Sequence, residues 1–371
     1  MSLSIRIEEL KCLIKKANDN YYNLSGDIVS DQEYDAWVRE LSELSPNNEE
    51  VLSIGAAPPP HSIWEKVKHS IPMGSLNKAN SEKEMDDWVS KDTTADDWFI
   101  THKIDGSSME LVYEFGKLIR CVSRGDGIIG EDITLNVSKV PSVPKLLQSK
   151  VNATVRGEIV MTKNMFITKY ASEYANPRNT AAGKIREKKG GGESCQDLEF
   201  LAYWLHLEDQ NDEPETMSSV MDWLDKNGFK VPEHSSGSYE MIKTVYDNTA
   251  MDRKSIPYEI DGMVISFNNI KSLNELGIVN GRPKGQIAWK FDPAMGETKI
   301  REIKWQVGPS GRITPVAVVE PVSIGGVTIT NISLHNLSIF HDLHLHQGNR
   351  VLVSRRNDVI PFLERNLDID M

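Results

Sequence analysis

Lys103-Ile104-Asp105-Gly106, followed at Arg124 by Arg-Gly-Asp-Gly-Ile-Ile-Gly-Glu-Asp132, is the stretch on which the reading of the chain turns. Residues 98–123 are rich in strand formers and break at Phe115-Gly116, which predicts a β-hairpin with Lys103 on its first strand and a Gly-rich loop after its second. A lysine becomes a nucleophile when a buried or cationic pocket strips its proton, a change arginine does not undergo. Asp105, two residues on, is expected on the same face, to orient the amine or help bind a reacting nucleotide. The pattern reads as a covalent nucleotidyl-transfer site; a surface hairpin is the alternative.

Working outward, Ala153, Val155, Gly157 and Ile159 alternate with Thr154, Arg156 and Glu158, which puts Arg156 and Glu158 on the polar face of one strand. An ion pair between those two is the structural alternative to a ligand-binding role for Glu158. Further strands are predicted at 199–205, 261–267 and 286–291, with helices at 163–174 and 218–227, a mixture that makes this part α+β. After Asp292-Pro293 short apolar runs at 301–307, 313–320, 327–332 and 350–354 are separated by Gly-rich turns, the pattern of an OB-type β-barrel. At the other end, Ile7, Leu10, Ile14 and Ala17 have helical spacing, and Ser30-Asp31-Gln32-Glu33 is a capping box opening a second helix whose stripe is Tyr34, Trp37, Val38 and Leu41. Pro58-Pro59-Pro60 reads as a stiff linker, after which His69-Ser-Ile-Pro-Met-Gly-Ser-Leu76 opens the central region.

Composition narrows the function classes. The net charge of −12 argues against a protein that coats nucleic acid along its whole surface. The charge is uneven: residues 1–100 are acidic, whereas Arg282, Lys284, Lys290, Lys299, Arg301, Lys304 and Arg312 cluster in one segment and Arg178, Lys184, Arg186, Lys188 and Lys189 in another. Each cluster is either a solvated face or a local phosphate-binding surface. Cys12, Cys121 and Cys195 are far apart, which offers no disulfide framework and no four-cysteine zinc site. No run approaches the roughly 18 apolar residues that span a bilayer, and Met-Ser-Leu-Ser-Ile-Arg lacks a signal-peptide core. The expectation is a cytoplasmic protein, without membrane contact.

From near residue 20 to near residue 362 the chain resembles the NAD-dependent DNA ligases, most specifically in Asn176-Pro-Arg-Asn-Thr-Ala-Ala-Gly-Lys-Ile-Arg186. The resemblance implies a helical NAD-binding module over 1–68, an ATP-grasp-like nucleotidyltransferase (adenylation) domain over 69–292 and an OB-fold over 293–371. It implies an enzyme of DNA replication and repair that seals nicks in duplex DNA through a lysyl-AMP intermediate, with NAD and Mg²⁺ as cofactors. Tyr21, Tyr22, Asp31, Tyr34 and Asp35 are similar to the residues that grip nicotinamide mononucleotide, where aromatic faces and carboxylates suit a pyridinium. Ser75 and Leu76 match the adenine-edge segment, Lys103 the adenylated lysine, Arg124 the arginine on the ribose and DNA end, and Tyr203 the aromatic that stacks on adenine. Glu158 matches a carboxylate for a ribose hydroxyl or a metal-bound water, with Mg²⁺ held through water near Asp105 and Glu158 rather than by direct side-chain ligation. Asp261 and Lys290 complete the pocket, Lys290 neutralising the α-phosphate. Arg178 and Arg186 would contact phosphates of NAD or DNA, and Arg282, Arg312 and Arg355 those of DNA, the last in Arg355-Arg-Asn-Asp-Val-Ile-Pro361 of the barrel pattern.

Three positions depart from the family. Thr101 stands where a glutamate reads adenine, Ser266 where a lysine follows Asp261 by five residues and would add charge at the α-phosphate, and Pro309 where an arginine follows Trp305-Gln-Val-Gly, with Arg312 as a substitute. The chain stops at Met371, before the zinc, helix-hairpin-helix and BRCT modules of long relatives. It is expected to be a monomer, either a compact enzyme of viral or phage type working in a host cell, or a catalytic part whose DNA grip lies on a separate subunit. Readings as a DNA-binding scaffold without ligation, or as an RNA-end or ATP-using nucleotidyltransferase, stay open.

Overall fold

The computed structural model describes residues 3–23, 31–45, 64–91, 96–187, 192–209, 213–292, 294–307, 313–324, 327–334, 337–356 and 360–369. Its chain contacts divide into two compact units, Met1–Gly26 with Trp37–Phe291, and Asp27–Ala36 with Asp292–Met371.

Two helices open the chain, α1 (Leu3–Asn23) and α2 (Asp31–Leu44). Leu10 and Ile14 of α1 and Leu41 of α2 are fully buried, and Arg6 reaches Glu40 with Nε to Oε1 at 2.7 Å. Glu40 is held below the usual carboxylate range by that arginine. The predicted cap Ser30 and the Pro58–Pro60 linker lie outside the described residues.

The central region is built on strands β1 (Lys66–Lys68), β2 (Asn77–Ala79), β3 (Trp98–Ile104), β4 (Ser107–Glu114), β5 (Lys117–Ser123), β6 (Ile129–Glu131), β7 (Ala153–Val160), β8 (Glu199–Leu207), β9 (His234–Gly237), β10 (Ile260–Phe267), β11 (Ile278–Val279), β12 (Arg282–Pro283) and β13 (Gln286–Lys290). Two sheets carry it, one of five strands in the order β2-β13-β10-β3-β9 and one of four in the order β5-β4-β7-β8. The first sheet packs Trp98, Ile100, Met263, Ile265, Phe267, Ile287 and Trp289 into one core; the second packs Met109, Leu111, Val155 and Ile159 into another. Strand alternation then turns Lys103, Gly262 and Lys290 to the opposite face of the first sheet, and Ser108, Arg156 and Glu158 to the opposite face of the second.

Three helices of note belong to this region: α3 (Glu82–Val89), α4 (Pro177–Ile185) and α5 (Met217–Lys226). A fourth, α6 (Tyr239–Asp252), starts at the Ser238 cap and was not anticipated from sequence. The helix expected over 163–174 is a short turn at Lys163–Met165 running into a π-helical turn, Phe166–Tyr170. That wider turn seats the Tyr170 hydroxyl on Asp197 at 2.5 Å, and the tertiary bond overrides helical propensity.

The second unit holds β14 (Ala294–Val307), β15 (Ile313–Ile324), β16 (Val327–Ser333), β17 (Arg350–Arg356) and β18 (Ile360–Asn366), ordered β16-β15-β14-β17-β18. β14 is long because it serves two partners: Ala294–Lys299 pair with β17, and from Ile300 onward it pairs with β15. Ile300, Ala317, Val319, Ile329, Ile332, Val351, Val353 and Leu363 fill the interior, as expected of an OB barrel. The strand at Ile360–Asn366 is an addition to the strands expected from sequence, where only Ile360 and Pro361 stood, at the end of a motif.

Candidate functional site

Lys103 sits one residue from the end of β3, and its Nζ donates to both oxygens of Asp261, at 2.8 Å and 2.9 Å. Lys290, at the end of β13, donates to Asp261 Oδ2 at 2.5 Å. Gly262 pairs with Lys103 on one side and Lys290 on the other, so the two ammonium groups flank β10 on one face. Asp261 reaches them because β10 bulges there: Ile260 pairs with Ile104 and Gly262 with Lys103, leaving Asp261 as the extra residue. Gly262 is required beside it, since a Cβ there would lie 2.3 Å from the Trp289 carbonyl oxygen.

The electrostatics suit a nucleophile. Burial pushes the Lys103 ammonium below the usual lysine range and Lys290 pushes the same way, against Asp261. The two cations together hold Asp261 ionised, far below the ordinary carboxylate range despite its burial. Of the two roles expected of Asp105, the orienting one falls instead to another residue, because Asp105 lies just past β3 and does not bond the amine. Its Oδ1 pairs with Arg178 Nη1 at 3.0 Å, burial raises its carboxyl, and Arg178 pulls the other way. The orienting contact belongs to Asp261, a residue whose sequence context marks it only as part of the pocket.

Glu158 of β7 stands directly across from Ser108 of β4, whose hydroxyl donates to Oε1 at 2.7 Å. Oε2 is buried with no hydrogen-bond partner among the described residues, and burial pushes the carboxyl up to about 7. Arg156 shares that face but makes no pair with Glu158. It donates to Glu110 Oε2 from Nε at 2.9 Å and from Nη2 at 2.6 Å, bonds the carbonyls of Ile71 and Pro72, and lies 4.3 Å from the Trp204 ring centroid. His69 closes the group, Nδ1 to Glu110 Oε1 at 2.9 Å. The ion pair weighed for Glu158 is therefore absent, and Arg156 ties the segment before Ser75 to the sheet.

Tyr203 faces the site through a second bulge. Arg156 pairs with Trp204 and Gly157 with Ala202, so Tyr203 is the extra residue of β8. Glu158, Arg124 and Arg156 all act on its hydroxyl, which burial raises above the usual phenol range. Arg124 donates its backbone N–H to the Ser108 carbonyl at 3.2 Å. The loop behind it needs its glycines: Gly125 has φ +57 and Gly127 φ +85, and the Asp126 carboxylate caps the turn on the N–H groups of Ile128 and Ile129 at 2.8 Å and 2.7 Å. Ser75 and Leu76 are half-buried just ahead of β2, with Ser75 N–H on the Gly281 carbonyl at 3.3 Å.

Arg178 lies in the first turn of α4, behind the Asn176 cap. In the basic cluster around it, Lys184 pairs with Glu187 at 2.7 Å and lies over the Tyr170 and Tyr174 rings, and Arg186 stands 3.8 Å from Glu131. Arg282 is half-buried in β12, while the side chain of Arg355 and all of Arg312 and Pro309 lie outside the described residues. Tyr21 and Tyr22 are on α1 and Asp31, Tyr34 and Asp35 on α2; of their side chains only that of Tyr34 is described, half-buried.

The departures take a clearer form. Thr101 is buried and donates to the Glu233 carbonyl at 3.2 Å. Ser266 pairs with Phe99, four residues along β10 from the Gly262 row, or about 13 Å at strand rise. It is 1% exposed and its Oγ has no partner among the described residues. Ser266 therefore does not line the neighbourhood of Lys103 and Lys290, and the expectation that a charge is missing there from the α-phosphate is corrected. Among the described residues no helix is long and apolar enough to cross a membrane, and no group of three or more His, Cys, Asp or Glu could hold a metal ion.

Comparison with known proteins places the chain in a family. Family models match for the NAD-dependent DNA ligase adenylation domain over 61–294, the NAD-dependent DNA ligase OB-fold domain over 297–369, and the DNA ligase-like N-terminal NAD+-binding domain over 1–54. A DNA ligase of Sorangium cellulosum is 37% identical, covering 97% of this chain and 56% of its own length. One of Marinobacter nauticus is 36% identical over 96% of this chain and 56% of its own, and one of Leptospira biflexa 32% identical over 97% and 55%. The chain thus spans about half the length of the curated relatives it matches. With the adenylation-domain match alone covering residues 61–294, the chain belongs to the NAD-dependent DNA ligase family.

Proposed function

We propose that this protein seals nicks in duplex DNA at the expense of NAD. The observation that carries the reading is the Lys103–Asp261–Lys290 cluster, in which a lysine of lowered proton affinity is held on a carboxylate beside a second cation. Lys103 Nζ gives its proton to solvent and attacks the adenylyl phosphorus of NAD; the N–P bond forms as the bond to nicotinamide mononucleotide breaks. A 5′-phosphate oxygen at the nick then takes the adenylyl group and frees Lys103. The 3′-hydroxyl next attacks that 5′-phosphorus and AMP leaves. Each step is phosphoryl-type transfer, so the side chains act by positioning and by neutralising charge. Lys290 moves from Asp261 to the α-phosphate, Arg124 and Tyr203 hold the nucleoside, and Ser75 and Leu76 border the base.

Glu158 and Asp105 fit Mg²⁺ held through water, because the buried Oε2 of Glu158 has an unfilled acceptor site and hydrated Mg²⁺ presents O–H donors. The ion supplies charge neutralisation at the phosphates. We assign residues 1–68, with Tyr21, Tyr22, Asp31, Tyr34 and Asp35, to nicotinamide mononucleotide; 69–292 to adenylation; and 293–371 to duplex DNA. Arg178, Arg186, Arg282, Arg312 and Arg355 are assigned to DNA phosphates, in a monomer.

Incubation with NAD labelled in its adenylyl phosphate tests this. The expected result is covalent label on the parent, none on Lys103→Ala, and none from ATP labelled at the α-phosphate. Label from ATP, or label surviving Lys103→Ala, overturns the reading.

A further inference from the structure

Ser108 lies outside every residue matched to a family motif, yet three site elements meet on it. Its hydroxyl donates to Glu158 Oε1 at 2.7 Å. Its carbonyl accepts the Arg124 N–H at 3.2 Å. Its hydroxyl also acts on Tyr203, the bulged residue of the neighbouring strand. Its orientation is fixed by alternation, because Met109 is fully buried in the core and Ser108 must face the other way. Its distance from Glu158 is fixed by the sheet. The two residues are directly paired across β4 and β7, and Gly106 lets the start of β4 lie so close to β7 that a Cβ there would be 2.4 Å from the Ile159 carbonyl oxygen.

We propose that Ser108 is a positioning residue that holds Glu158 by Oε1 and so presents Oε2 alone as acceptor for an O–H donor of the substrate complex. A carboxylate offers two equivalent oxygens and turns freely about its last bond. With Oε1 engaged, rotation would break a charge-assisted bond, and the buried Oε2, which has no partner among the described residues, is left as the open acceptor. The donor is a ribose hydroxyl of NAD or a metal-bound water; both are O–H groups. The inference rests on the NAD reading above.

The test measures NAD binding at equilibrium and single-turnover adenylate formation, with Mg²⁺ varied, for the parent, Ser108→Ala, Ser108→Thr, Glu158→Gln and the double variant Ser108→Ala/Glu158→Gln. Ser108→Ala should lose about tenfold in kcat/KM, the scale of one charge-assisted bond, and Ser108→Thr should recover it. In the Glu158→Gln background the same change should cost less than about twofold, as for a residue acting only through Glu158. Weaker NAD binding without Mg²⁺ assigns the donor to the ribose. A raised half-saturating Mg²⁺ concentration with that binding unchanged assigns it to water. A Ser108→Ala protein as active as the parent, or a full loss persisting beside Glu158→Gln, overturns the inference while the parent still adenylates. A parent that binds no NAD overturns the reading of function and this inference with it.

Discussion

Glu158→Gln is expected to make the ligand-free protein more stable and less active, with the gain developing between pH 4.5 and 7 and complete above. The Glu158 carboxyl ionises at about 7 in the folded chain against 4.5 when solvated, because burial outweighs the Ser108 hydrogen bond and the nearby Lys103, Arg124 and Arg178 charges. A raised carboxyl pKa means the folded state binds the proton more tightly than the unfolded chain. Its contribution to stability is full below pH 4.5, falls between 4.5 and 7, and is gone above. At about 1.4 kcal/mol per tenfold change in ionisation constant, the loss amounts to about 3 kcal/mol. Glutamine keeps the acceptor for Ser108 and removes the ionisation. Urea unfolding of parent and variant in metal-free buffer at pH 5 and pH 8 isolates the group, because the other titrating residues are common to both. The two should unfold at similar urea concentrations at pH 5, and at pH 8 the variant should be more stable by about 2 to 3 kcal/mol, with adenylate formation slowed at both. A stability difference that does not change between pH 5 and pH 8 would refute the argument that Glu158 is held against its own ionisation.

Three further outcomes follow from the same geometry. Asp261→Asn leaves two ammonium groups without their carboxylate; Asp261 raises the Lys103 pKa, so its loss should move the pH at which adenylation switches on downward, while slowing it about ten- to a hundredfold at the optimum. Single-turnover rates against pH check this, and an alkaline displacement would contradict it. Ser266→Lys forces an ammonium into a position 1% exposed, which should lower stability by about 3 kcal/mol or more and leave adenylation no faster, read by urea unfolding and labelled NAD. A folded variant lacking residues 1–68 should fail to react with NAD yet still seal a nick that already carries 5′-adenylate; loss of both activities would count against a module dedicated to NAD.

Much of this was legible in the chain because strand alternation and fixed strings report directly on which face a residue takes. Glu158 takes the polar strand face its alternation indicates, Lys103 and Lys290 lie on strands within their strings, and the switch to strands after residue 292 is the barrel, although β14 and β15 run longer than the short strands expected. What escaped had non-local causes. That Asp261 rather than Asp105 holds Lys103 depends on pairing between strands more than 150 residues apart and on an extra residue that no local pattern marks. Ser108 opposite Glu158 needs the β4–β7 register, and Arg156 chose Glu110 because a buried carboxylate lies across from it on that same register. Ser266 lies away from the Lys103 row because counting residues from Asp261 gives sequence distance, whereas the strand carries it along the sheet to pair with Phe99.

The two bulges separate what the site needs from what the core needs. Asp261 and Tyr203 each ride on one surplus residue, so neither takes its direction from the hydrophobic alternation of its own strand. Excising one residue beside Asp261 would let β10 zip into unbroken pairing with β3, with its apolar positions still able to find a core. The result would be a better sheet and a lysine without its counter-ion. In this architecture the irregular pairing is the functional information, and an algorithm or a design that regularises the ladder would erase it while improving every measure of foldedness.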